Sequence, residues 1–263
     1  MVVASLTLGA VVGVLLSAAF LYFEVGRYAT PQVPVTLFDE RKELFAYTAG
    51  LFVGVPLAIA FVLFQTAMGA GALLSALICL ALLVAGGEVA QWALLRTRFW
   101  GREPARPFYA LGYRAAIGGI ISLAVVGEYL ANPTVTVDGT AFVVLESMSI
   151  VALEVAGSFL SLPAVPGGDR TGGSWVAGAL FSSVGFFLLG LGPISGEVTG
   201  YAGALVALLG AVLVYRRLRP ALGRVPAPSA GPKPTEPEAP LAYGRTSSEK
   251  GAPDGGKPPL GEK

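Results

Sequence analysis

LICLALLVAGGEVAQWALLRTRFWGREPARPFYALGYRAAIGG, residues 77–119, consists of two apolar runs separated by a turn that carries Arg96, Arg98, Arg102 and Arg106. Each run holds one ionisable residue in its interior. Glu88 lies eight positions before Arg96, and Arg114 lies eight positions after Arg106. At the helical rise of about 1.5 Å per residue, both sit roughly 12 Å in from the same end. Two consecutive antiparallel helices with opposite charges at matched depth predict a buried pair inside a membrane bundle.

The rest of the chain supports that solvent. Of its 263 residues 54% are hydrophobic and only 13% are charged, against about a quarter charged in a soluble domain. The surplus of apolar surface needs lipid to cover it. The 35 glycines suit helix contacts in lipid, where small residues let backbones approach.

Working outward, apolar runs are expected as helices at residues 2–23, 44–65, 72–95, 108–130, 140–162, 175–191 and 196–215. Each is long enough, or nearly so, for the ~30 Å hydrocarbon core. The first lacks a positive n-region and a small-residue cleavage site, so it reads as a retained helix. Gly9 with Gly13, and Gly50 with Gly54, form GxxxG pairs, and Gly196, Gly200 and Ala204 form a small-residue stripe; each is a packing face. Asp39 is placed to cap the second helix, and the charges around it read as a solvated helix start. Pro56 removes one backbone bond from that helix and predicts a bend. The fold class is therefore an all-α integral membrane protein. It comprises a bundle of seven transmembrane helices over residues 1–219 and a disordered tail over residues 220–263. The tail is rich in Pro, Gly, Ser, Lys and Glu and has no apolar pattern able to pack.

Lysine and arginine segregate by loop. The loops after helices 1, 3 and 5 and the C-terminal segment hold all the loop lysines and arginines, and the other loops and the N-terminus hold none. The positive-inside rule then places the N-terminus outside and the C-terminus in the cytoplasm of a cell membrane. Arg216, Arg217 and Arg219 serve as a topology anchor, with anionic lipid as the alternative partner. Trp92, Trp100, Phe108 and Tyr109 read as an interfacial aromatic belt. The lipid bilayer is the expected partner. No nucleic-acid partner is expected, and the oligomeric state is open.

Absences narrow the chemistry. The chain has no histidine, which excludes His-ligated haem, copper or zinc and Ser-His or Cys-His catalytic pairs. Cys79 is the one cysteine, so no internal disulfide forms, and it reads as a small core thiol. No cofactor and no metal site are expected, and the residues lean away from an enzyme. Retinal proteins share seven helices and an external N-terminus, but helix 7 here lacks the Schiff-base lysine. Pro31-Gln32 superficially resembles the dipeptide of PQ-loop transporters, yet it lies in a loop and has no second copy.

The remaining signal is charge at depth. Glu154 sits nine residues before Pro163, roughly 13 Å from the cytoplasmic end, and so shares a layer with Glu88 and Arg114. Ser147, Glu154, Ser158 and Ser161 line one face of helix 5, and Gln91 lies near the face of Glu88. Glu128 and Glu146 extend a sparse polar track toward the outside. The candidate intramembrane polar site is thus Glu88, Arg114, Glu154, Glu128 and Glu146. One arginine against two inner glutamates leaves an excess carboxylate, which holds a proton, binds a cation or meets a basic substrate group. Read functionally, the track moves a small solute or ion. Read structurally, the chain is a non-catalytic membrane subunit or scaffold whose buried charges fix helix register. Ser182 and Ser183 are expected to bond their own helix.

Overall fold

Asp39 opens a helix because its extended backbone (φ −110°, ψ 107°) lets its carboxylate accept from the Arg41 amide, at 2.9 Å. It satisfies one of the free amides of the first turn. The structure is a computed structural model and describes residues 13–23, 39–97, 106–131, 136–161, 171–195 and 197–222. In chain order the helices are α1 (Gly13–Phe23), α2 (Glu40–Gly69), α3 (Leu73–Arg96), α4 (Arg106–Ala131), α5 (Val137–Ser161), α6 (Thr171–Leu189), the single turn α7 (Gly192–Ser195) and α8 (Glu197–Leu222). The chain divides into two units, Met1–Val225 and Pro226–Lys263. The second lies outside the described residues, as do Gly9, Trp100, Pro31-Gln32 and Gly196.

Among the described residues, five helices are long and apolar enough to cross a membrane, and Gly13–Phe23 and Ser174–Leu189 are shorter apolar helices. The expected helix positions are therefore occupied, but the length needed to span is present in five. Boundaries shift by a turn at several ends. α2 is longer than expected at both ends and continues through Pro56. α5 begins at Val137, so Asp138 belongs to its first turn and not to a loop. α8 continues past residue 219 to Leu222. The α2–α3 reversal turns on Gly71, whose φ of +71° is a left-handed conformation that only glycine adopts without strain.

Packing follows from small residues. A Cβ at Gly54 would lie 2.8 Å from Ile120 Cβ, and one at Gly50 would meet the Tyr113 carbonyl oxygen. α2 and α4 thus run parallel in close contact, the most extensive helix pair in the bundle. Gly13 of α1 sits against Gly119 and Leu123 of α4, and a Cβ there would lie 2.5 Å from Gly119 O. Gly118 does the same between α4 and α5, with 2.9 Å to Val151 Cα. Ser149 of α5 donates to its own Leu145 O and to Ala204 O of α8 at 2.9 Å.

These contacts bury α4 and α5 at the centre. In the most apolar stretch of each, 83% and 72% of residues are buried, against 33%, 33% and 28% for α2, α3 and α8. The outer helices present Phe52, Leu74, Leu82 and Leu213 outward, an apolar surface that suits lipid and not water. Phe108 and Tyr109 depart from the interfacial belt. Both are core residues, and the Tyr109 hydroxyl accepts from the Asp39 amide at 3.1 Å. The first turn of α4 is drawn inward against the cap of α2, which removes its aromatics from the surface. Trp92 does lie outward at 53% exposure, with the Arg96 guanidinium 4.3 Å from its ring centre.

Candidate functional site

Arg114 projects from α4 into the seam between α3 and α5. Its guanidinium reaches three side chains. Nη1 donates to Glu154 Oε2 at 2.8 Å, Nε donates to Gln91 Oε1 at 2.5 Å, and Nη2 lies 2.5 Å from Glu88 Oε1. Exposure is 2% for Arg114, 1% for Glu88 and 2% for Glu154. The contact to Glu88 is an ion pair without hydrogen-bond alignment. Neither oxygen of Glu88, nor Arg114 Nη2, has a hydrogen-bond partner among the described residues.

Local sequence explains how these groups meet. Glu88 and Gln91 are three apart and therefore share a face of α3. Gly87 beside them supplies the slot, because a Cβ there would lie 2.5 Å from Arg114 Nη1. Gly118, one turn beyond Arg114, lets α5 approach closely enough to bring Glu154 to the guanidinium. A planar fork of donors suits several oxygens at once, as an ammonium would not.

The outer members of the candidate site lie elsewhere. Glu146 is 2% exposed, and its Oε1 accepts from Gln65 Nε2 of α2. It borders a cavity of about 360 Å³ whose lining includes Gln65, Asp138, Phe142 and Tyr201. Arg114, Glu88 and Glu154 are not among the lining residues of this cavity. Glu128 is exposed on α4. Four of the five residues thus fall in two places, an inner cluster at Arg114 and an outer site at Glu146, and Glu128 is not among the residues that line the outer cavity.

Between and around them lie unanswered polar groups. The hydroxyls of Ser147, Ser158 and Ser182 and the Tyr113 hydroxyl are buried with no hydrogen-bond partner among the described residues. Ser183 bonds the Ala179 carbonyl of its own helix, but Ser182 does not follow it. It faces Gly157 of α5, whose Cβ position lies 2.5 Å from its Oγ.

Two polar residues escape a reading by sequence. Gln65 ends an apolar run and resembles an ordinary interfacial residue; only the fold pairs it with Glu146, eighty-one positions away. Glu43 stands in the charged start of α2, yet it is 5% exposed, and its carboxylate occupies the space above Gly112. Neither oxygen has a hydrogen-bond partner among the described residues. The glycine gap in α4 turns this carboxylate inward. Arg216 and Arg217 are exposed on α8, while the Arg219 side chain lies outside the described residues. Among the described residues no group of three His, Cys, Asp or Glu side chains is arranged to hold a metal ion.

Comparison with protein-family models, with curated proteins and with solved structures returns no match. The helices and the buried Glu–Arg cluster fit a multi-pass membrane protein.

Proposed function

We propose that the protein is a membrane transport protein for a small solute or ion, with Glu88, Arg114 and Glu154 on its pathway. One observation carries this reading. Two carboxylates face one guanidinium in a sealed seam, and among the described residues both oxygens of Glu88 lack an aligned hydrogen-bond donor, its ion pair with Arg114 notwithstanding. A cluster serving packing alone is expected to balance its charge and its donors. An excess carboxylate at this depth calls for a proton or a cation, which is what a coupled transporter exchanges. The buried hydroxyls of Ser147 and Ser158 on α5, which have no hydrogen-bond partner among the described residues, suit water or solute along the route.

Reconstitution into proteoliposomes, with ion and pH gradients imposed, tests the proposal. Glu88→Gln should keep the wild-type melting temperature and lose flux. Wild-type flux in that variant overturns the role of the cluster. A second reading, a scaffold held by an internal salt bridge, is favoured by the tight sealing of the three residues and their separation from the outer cavity. In that case replacing all three together (Glu88→Leu, Arg114→Met, Glu154→Leu) leaves every activity intact.

In the membrane this reading gives seven spans, with the N-terminus outside, the C-terminus cytoplasmic and a disordered tail that starts beyond the end of α8 at Leu222 instead of at residue 220. Arg216, Arg217 and Arg219 then meet the anionic inner leaflet. In a Cys79→Ala background, a membrane-impermeant maleimide should label Asp138→Cys in intact cells and leave Arg98→Cys unlabelled. Labelling at position 98 overturns the orientation.

A further inference from the structure

The cavity beside Glu146 has the chemistry of a recognition site. At about 360 Å³ it lies at the lower end of the range of small-molecule pockets, roughly 300–1,000 Å³. Exposed Asp138 and Pro193 stand among its lining residues, and buried Glu146 and Gly200 close it within. Gln65 occupies Glu146 Oε1, and Oε2 has no hydrogen-bond partner among the described residues. Nor does Glu146 form an ion pair among them. A buried carboxylate beside open space, without a protein cation among the described residues, is matched by a cation that enters from outside.

The walls select the kind of cation. Phe142 and Tyr201 both line the cavity, and their rings meet edge to face with centres 5.2 Å apart. The Tyr201 hydroxyl donates to the Asp138 main-chain carbonyl, which fixes that ring on the first turn of α5. Phe142 is held from behind, since a Cβ at Gly200 would lie 3.1 Å from its Cε2. Small hard cations such as Ca²⁺ need about six to eight oxygens, and no three acidic side chains converge here among the described residues. Aromatic rings beside a buried carboxylate, with exposed Asp138 also in the lining, instead suit a weakly hydrated organic ammonium, held by charge and by the rings.

We infer that this cavity binds a small organic ammonium ion, with Glu146 as its counter-charge and Phe142 and Tyr201 as its aromatic wall. The site uses helices α2, α5, α7 and α8 and stands whether or not the Arg114 cluster transports anything.

The test is direct binding to the purified full-length protein in detergent, by thermal shift and titration calorimetry. The probes are choline chloride, its uncharged isostere 3,3-dimethylbutan-1-ol, and sodium chloride at equal ionic strength. Choline should raise the melting temperature in a concentration-dependent manner, through mass action on the folded state. The isostere and sodium should not. Glu146→Gln should weaken choline binding by roughly tenfold or more, and Phe142→Leu by about threefold to tenfold. Phe142 lies at the half-exposed wall, so its variant carries the test should Glu146→Gln fail to fold. Equal stabilisation by the uncharged isostere, no choline effect on the wild type, or wild-type affinity in Phe142→Leu overturns the inference. Wild-type flux in Glu88→Gln with choline binding retained would instead speak against the inner cluster and leave this site standing.

Discussion

Glu154 and Glu146 sit two turns apart on α5, are equally buried, and have opposite surroundings. Glu154 accepts from a guanidinium that is itself shared with Glu88 and Gln91, in a seam shaped by Gly87 and Gly118. Glu146 accepts from a neutral amide and borders a cavity. The difference lies in the neighbours. At one level α4 offers an arginine; at the other it offers the small hydroxyl of Ser122, which bonds the Ser147 carbonyl instead. One carboxylate has a fixed counter-charge inside the bundle, and the other has a neutral amide and open space beside it.

The comparison breaks most readily at Arg114. Arg114→Ala strands two buried carboxylates and should destabilise by about 3–5 kcal/mol, the usual result of removing one partner from a buried pair. Chemical unfolding in mixed micelles reads this, and a loss below about 1 kcal/mol would show that the seam is wetter than its exposure indicates. Gln91→Leu comes next. It leaves Arg114 Nε without its acceptor in a closed site and should cost about 1–3 kcal/mol by the same measurement.

Gln65→Leu is the matching change at the outer end. Gln65 is half-buried beside the cavity, so water can replace its amide at Glu146, and the loss should stay under about 1 kcal/mol. A loss equal to that of Gln91→Leu would erase the contrast between the two levels. The smallest effect is expected for Glu128→Gln. Glu128 is exposed, and its replacement should change stability by no more than about 0.5 kcal/mol. A larger change would place it in the outer cluster as a partner of Glu146.

The inner cluster was legible because it rests on counting. Equal spacing of Glu88 and Arg114 from one arginine-rich turn sets their depth, and a helix fixes depth to within a residue or two. Glu154 followed from the same count on α5. The aromatic cavity was not legible. Phe142 and Tyr201 are fifty-nine positions apart, and no period relates residues on helices whose lateral order the sequence does not encode. Glu43 and Tyr109 were misread for a related reason. Each belongs to a charged or aromatic helix end that normally faces the interface. Here Gly112 and the Asp39 cap draw them into the bundle.

The sequence by itself determined the apolar helices, the solvent that suits them and the layer of opposite charge. Those properties depend on residue type and distance along one chain, which hydropathy and a fixed helical rise translate into depth. Tertiary structure alone decided that α4 and α5 fill the centre, that Arg114 reaches Glu88, Gln91 and Glu154 together, and that Gln65 reaches Glu146. It also decided where space remains. Lateral contacts between helices depend on which small residues let which backbones approach, and glycines at 50, 87, 112 and 118 acquire that meaning only once their partners stand opposite.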